Sequence, residues 1–261
     1  MDATGTTDRV ETTMRVAVAG ASGRIGARAV RHLVAAGHEA VRISRGDGVD
    51  VRTGDGLAAA LDGVSAVIDA TNVAAGDETE IVEGFSVATR HLLAAEREAG
   101  VGHHVLLSIV GIHRGQRVPH YAGKRAQEAL VVHGPIRHSI VRATQFHDFA
   151  AMVAGWTLRD GVATLAPLLV QPIDLQDVAA ALVDVALGEP LDGDVEIAGP
   201  RTEDLVDMAR RSFTARGQDV RLVPTWRGIF DTSMAGEVLL PGDGARLAPV
   251  SFDDWLAAGA H

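Results

Sequence analysis

The sequence predicts an α/β fold, a doubly wound parallel sheet with a smaller C-terminal cap. Three observations carry that prediction. Short apolar strands alternate with amphipathic helices through the first 145 residues, the pattern of a parallel sheet covered on both faces. A glycine-rich turn joins the first strand to the first helix, the place where open α/β sheets hold phosphates. Apolar residues make up 47% of the 261 positions against 22% charged, enough to bury a core of that size.

The elements follow in order. Residues 1–13 are polar and acidic and read as a flexible tail. Met14–Ala19 is a short apolar run ending in glycine and predicts a buried strand. Arg24–Ala36 has apolar residues at helical spacing and stops at Gly37. Glu39–Ser44 predicts a second strand, Leu57–Leu61 a short helix closed by Gly63, and Ala66–Ala70 a third strand. Glu80–Ala99 is a long helix ended by Gly100. His104–Ile109 predicts a strand, Tyr121–Val132 a helix and Ser139–Ala143 a strand. Right-handed crossovers between these strands make the sheet doubly wound. The pattern loosens beyond residue 145. Phe146–Gly155 reads as helical, and Asp174–Leu187 as a helix capped by Asp174 or Asp177. Asp194–Ala198 and Val220–Val223 predict strands, Glu203–Arg216 and Phe252–Leu256 helices. With no Pro- or Ser-rich linker, residues 14–145 are expected to form a nucleotide-binding core and residues 146–261 a substrate-binding cap packed on it.

Composition excludes several function classes. The absence of cysteine removes disulfides, thiolate metal sites and cysteine nucleophiles, and suits a reducing cytoplasm. A net charge of −10 with dispersed arginines argues against nucleic acid as partner. No apolar stretch approaches the ~18–20 residues of a membrane helix, and the N-terminus has no apolar core of a secretory signal. A small-molecule substrate is the expected partner, and a homo-oligomer is compatible with the sequence. The histidines and acids match no metal-ligand spacing, so no metal is expected, and no GxSxG elbow of a hydrolase is present. Of the 24 basic residues only Lys124 is a lysine, and Tyr121, three residues earlier, is the only tyrosine.

Gly20-Ala-Ser22-Gly23-Arg24-Ile25-Gly26 follows a predicted strand and opens a predicted helix, the context of a Rossmann-like dinucleotide fingerprint. Gly20 suits the tight turn, Gly23 the close approach of a pyrophosphate, and Gly26 the packing of helix on strand. Ser22, Arg24 and Ile25 complete the cradle. Ser44 and Arg45 stand at the end of the second strand, with no carboxylate at that point. A hydroxyl and a guanidinium there suit a 2′-phosphate, assisted by Arg24, and favour NADP(H) over NAD(H).

Taken together these residues resemble the short-chain dehydrogenase/reductase superfamily. Asp50, Leu57–Gly63, Ala66–Thr71, Leu107–Gly111, Lys124–Glu128 and Arg142–Phe146 are similar to its atypical, NmrA-like branch, over roughly residues 14–190. The resemblance implies that Asp50 bonds the adenine amino group, that Thr71 and Asn72 line the cofactor, that Ser108 polarises the substrate, and that Lys124 bonds the nicotinamide ribose. The chain departs from the superfamily in one place. The catalytic tyrosine stands four residues before the lysine in that pattern, whereas here His120 holds that position and Tyr121 is three before Lys124.

Spacings of three and four both fall on one helix face, so Tyr121 or His120 is expected beside Lys124. An ammonium there would lower the tyrosine pKa toward working pH and disfavour a charged histidine. Gln145, Phe146, His147 and Phe149 follow the strand ending at Ala143, where substrate is expected, with Trp156 and Leu165–Leu168 as an apolar lid. His103 and His104 are expected at the surface, and Asp174 and Asp177 as helix caps. The function these residues favour is NADPH-dependent reduction of a small apolar carbonyl or quinone. The alternatives are a non-catalytic NADP(H)-binding redox sensor, and a lyase, epimerase or cyclase on the same scaffold.

Overall fold

A computed structural model describes residues 13–73, 76–115 and 118–259. The tail expected over residues 1–13 lies outside these except for Thr13. The first half of the chain comprises β1 (Arg15–Ala19), α1 (Gly26–Ala35), β2 (Glu39–Ile43), α2 (Leu57–Ala60), β3 (Ala66–Asp69), α3 (Glu78–Ala99), β4 (His103–Ile109), α4 (Pro119–Val132) and β5 (His138–Ala143). These agree with the predicted elements to within three residues at each end. Where they differ, the caps explain it. Asp77 and Glu80 form a reciprocal capping box that starts α3 two residues earlier, and Pro119 occupies the first turn of α4.

The second half comprises α5 (Phe149–Thr157), β6 (Val162–Leu165), β7 (Leu169–Val170), α6 (Leu175–Leu187), β8 (Gly193–Ala198), β9 (Glu203–Asp204), α7 (Leu205–Ala215), β10 (Arg221–Pro224), β11 (Arg246–Leu247) and α8 (Phe252–Ala257). Asp174 caps α6 by accepting from Gln176 N–H. The helix expected from Glu203 begins at Leu205, because Glu203 and Asp204 pair antiparallel with β7.

Seven parallel strands form the central sheet in the order β11-β8-β5-β4-β3-β1-β2. The chain runs outward from β1 to β2, then back across β1 to β3. That reversal opens a crevice at the carboxyl ends of β1 and β3. The segment around Asp50 forms a turn rather than a strand, so β2 is an edge. Helices α1 and α6 pack together on one face, and α2, α3 and α4 on the other. All four residues of β3 are buried because both faces are covered. Leu33 and Leu92, one on each face, are fully buried, each contributing about 2 kcal/mol.

The expected division after residue 145 is a division of sequence, because α6, β8 and β11 return to the central layer. The remaining second-half elements build a second core around Leu168, Met208, Phe213 and Phe252. Ile112 and Tyr121, from the first half, are packed into it. Among the described residues, no helix is long and apolar enough to cross a membrane.

Candidate active site

The glycine turn forms as its spacing requires. Gly20 takes a left-handed φ of +78°, and a Cβ there would stand 2.6 Å from the Ala70 carbonyl oxygen. A Cβ on Gly26 would stand 2.2 Å from the Gly20 oxygen. The turn therefore lies hard against the end of β3 and under the start of α1, space that any side chain would fill. No side chain caps α1 and no acid lies in its first turn, so its positive end is left for an anion. Ser22, Gly23 and Arg24 are exposed there, while Ile25 and Gly26 are buried. These features fit a dinucleotide pyrophosphate.

Arg24 spans the crevice rather than turning toward the expected 2′-phosphate. It pairs with Asp148 and lies 6.0 Å from the centroid of Phe146. At the end of β2, Arg45 is exposed and the Ser44 hydroxyl donates to Asp47. Asp47 also accepts from Arg42 Nε at 3.1 Å, and these two bonds hold its carboxyl below the usual range. A carboxylate three residues further on thus folds back onto the hydroxyl that was expected to face a phosphate. Asp50 accepts from the Arg52 N–H at 2.8 Å and organises its turn. Thr71 N–H donates to Asp69 at 2.9 Å, and Asn72 is exposed beside it.

Lys124 is buried on the face of α4 that meets α3. Its Nζ donates to the Leu107 carbonyl and to Gln127 Oε1, each at 2.8 Å, and lies 4.9 Å from the Phe85 centroid. Burial pushes its pKa down to about 8 against the pull of Asp69 and Glu128. His120, four residues earlier, packs edge-on against the same Phe85 ring at 5.5 Å. Burial and the Lys124 charge lower its pKa to about 4, so it is neutral at neutral pH.

Tyr121 leaves that face. Its ring enters the second core beside Met234 and Gly115, and its hydroxyl meets the Gln145 amide. Burial pushes its pKa up to about 12, with Gln145 offsetting this in part. The expected lowering by a neighbouring ammonium is therefore corrected. Burial wins because the i,i+4 residue His120, not the i,i+3 residue Tyr121, shares the face of Lys124. Tyr121 is therefore protonated at neutral pH, and His120 is a neutral imidazole with a single ring N–H.

Gln145 is 7% exposed, and neither its Nε2 nor its Oε1 has a hydrogen-bond partner of good geometry among the described residues. Ser108, at the end of β4, is buried within reach of Glu128. Its Oγ makes no well-formed bond among the described residues. Glu128 accepts from Arg142 Nε and Nη2, both at 2.9 Å, and from His113 at 3.0 Å. Burial opposes its ionisation, but these donors hold its pKa below the usual value.

Of the other substrate candidates, Phe146 is half-buried under Arg24 and Phe149 stands 6.1 Å from Phe230. Trp156 is exposed. His147, expected at the substrate rim, is instead buried against Phe252 and Trp255, with Nε2 3.2 Å from the Val250 carbonyl. His103 and His104, expected at the surface, are buried within β4. His103 contacts Ser139 at 2.8 Å and His104 contacts Glu96 at 2.9 Å. Sequence reasoning passed over Asp69, Glu96 and Gln127 as well. Gln127 had one signal, its place three residues beyond Lys124 on the same helix face.

No protein-family model and no curated protein sequence matches the chain. Solved structures do. A nucleoside-diphosphate-sugar epimerase from Staphylococcus aureus superposes with a TM-score of 0.70 at 12% identity, covering 93% of this chain and 99% of that one. An NAD-bound short-chain dehydrogenase/reductase superfamily protein from Agrobacterium tumefaciens gives 0.70 at 17% identity, covering 94% and 96%. The triphenylmethane reductase of a Citrobacter species, complexed with NADP(H), gives 0.63 at 20% identity, covering 81% and 79%. At these identities the likeness is one of fold alone.

Proposed function

We propose that the protein is an NADPH-dependent oxidoreductase that reduces a small, fairly apolar carbonyl or quinone. The observation that supports the reading is the meeting of the Tyr121 hydroxyl, which keeps its proton, with the buried Gln145 amide, which forms no well-aligned bond among the described residues. Gln145 follows β5 at the carboxyl edge of the sheet, and Tyr121 meets it from the first turn of α4. When bound, the nicotinamide supplies a hydride. Tyr121 donates the proton that the substrate oxygen needs, and Gln145 Nε2 donates a hydrogen bond to that oxygen. Ser108 assists in polarising it. Lys124 holds the nicotinamide ribose, the turn Gly20–Gly26 holds the pyrophosphate, and Asp50, Thr71 and Asn72 line the remainder. Ser44 and Arg45 favour the 2′-phosphate of NADP(H), with Asp47 as the opposing charge. Phe146, Phe149 and Trp156 supply apolar walls for the substrate.

A second reading is a non-catalytic NADP(H) sensor. The inward turn of Lys124, whose ammonium is bonded to Leu107 and Gln127, favours it. NADPH oxidation against a panel of quinones and carbonyls separates the two. The expected result is turnover that falls about 100-fold or more in Tyr121→Phe, with NADPH affinity retained, while Lys124→Ala weakens NADPH binding. Tight NADPH binding with no turnover of any compound transfers the case to the sensor. Absence of NADPH binding overturns both readings.

A further inference from the structure

Behind the ammonium of Lys124 lies a buried polar chain that the reading above does not use. The first contacts of Lys124 are neutral: the Leu107 carbonyl, Gln127 Oε1 and the Phe85 ring. The countercharge stands one residue further back. Gln127 Nε2 donates to Asp69 Oδ2 at 2.9 Å and reaches Thr71 Oγ1 at 3.4 Å. Asp69 faces His104 Nε2 at 3.9 Å, and His104 Nδ1 donates to the Glu96 carboxylate at 2.9 and 3.0 Å. All five side chains are buried, none more than 4% exposed. The order Glu96, His104, Asp69, Gln127, Lys124 alternates anion and cation, with one amide inserted before the last.

We propose that Gln127 is a positioning residue that transmits the field of Asp69 to Lys124 and so fixes the ammonium at the end of β4. An ionised carboxylate only accepts, so Asp69 obliges Gln127 to present its NH2 group. The amide oxygen is then turned toward Lys124, which only donates. Without Asp69 the amide is free to flip, and its NH2 would face an ammonium. Asp69 in turn is buried and needs a cation, which the Glu96–His104 pair provides. The groups facing Lys124 are Asp69 from β3, His120 and Glu128 from α4, Phe85 from α3 and the Leu107 carbonyl from β4. Among the described residues, the acceptors that Nζ reaches directly are the Leu107 carbonyl and Gln127 Oε1.

The functional consequence rests on Lys124 holding the ribose, but the coupling itself is measurable without any cofactor. Lys124 is the only lysine, so lysine-selective 13C labelling of the tag-free chain gives one side-chain resonance whose titration reads this group alone. The wild-type midpoint is expected near 8. Gln127→Met, which keeps length and removes both bonds, is expected to move it down by at least one pH unit. Asp69→Asn, which changes almost no volume, is expected to move it in the same direction and supplies the readout where Gln127→Met does not fold. A folded variant whose denaturation midpoint falls while the Lys124 titration stays in place overturns the proposal, since Gln127 then only packs. NADPH affinity at pH 9, above both midpoints, measured on the same samples, is expected to fall about tenfold, because a one-unit shift lowers the ammonium fraction there in that proportion. A shifted resonance with unchanged NADPH affinity leaves the coupling standing and overturns the assignment of Lys124 to the ribose.

Discussion

Two glycines in helices are predicted to respond in opposite directions to the same methyl group. At Gly26, the first residue of α1, an added Cβ would stand 2.2 Å from the Gly20 oxygen, whereas ordinary contact begins at 3.4 Å. The backbones must separate by the difference, 3.4 − 2.2, about 1.2 Å. Neither side yields readily. Gly20 N–H donates to Ile43 at 3.0 Å, and Gly20 oxygen accepts from Gly23 N–H at 2.8 Å. Overpacking costs about 1–3 kcal/mol and the strained turn bond about 1 kcal/mol, while alanine returns about 1 kcal/mol of helix propensity. Gly26→Ala is therefore expected to destabilise by about 2 kcal/mol, or ~4–8 °C in Tm. It is also expected to weaken nucleotide binding at least tenfold, because the phosphate turn itself is displaced. At Gly155, in α5, a Cβ meets nothing within 4 Å, so Gly155→Ala is expected to stabilise by about 0.5–1 kcal/mol. Thermal denaturation followed by circular dichroism, with an NADPH fluorescence titration, measures both. Shifts of the same sign, or a Gly26→Ala protein that binds nucleotide as the wild type does, would refute the close-approach argument.

Further expectations concern the charges. Removing Arg45 (Arg45→Ala) should weaken NADPH about tenfold or more and leave NADH unchanged, while Asp47→Asn should strengthen NADPH by freeing the Ser44 hydroxyl. Paired dissociation constants for the two nucleotides check this, and equal effects on NADH and NADPH would sink it. Glu96→Leu leaves His104 buried without its partner and is expected to cost about 3–5 kcal/mol. The Glu96→Leu/His104→Leu double variant is expected to cost less, which urea denaturation of both would decide.

Much of the central layer was legible because its signals are local. Val16–Ala19 of β1 and all of β3 are buried because helices cover both faces of the sheet, so these strands read as short, nearly continuous apolar runs. The glycine turn, the Gly100 stop and the Asp174 cap act within a few residues of themselves. The strands missed, β6, β7, β9 and β11, have two to four residues each. Their pairing partners lie far along the chain, and so short a segment carries no periodicity. The same limit hid Glu96 and Asp69, which meet His104 only when β3, β4 and α3 have packed. A histidine pair in the sequence reads as polar surface, and nothing in the sequence marks Glu96, eight residues earlier, as a carboxylate turned inward to meet it.

The sequence by itself determined the tight glycine turn after β1 and the spacing of His120 and Tyr121 from the one lysine, because turn glycines and helix spacing are properties of adjacent residues. Only the tertiary structure decided which neighbour of that lysine shares its face and which keeps a proton. Packing sent Tyr121 into the second core beside Gln145 and left His120 neutral beside Lys124. Protonation follows burial and distant charge, and those exist only once Asp69, Phe85 and Gln127 have been brought together around a single ammonium.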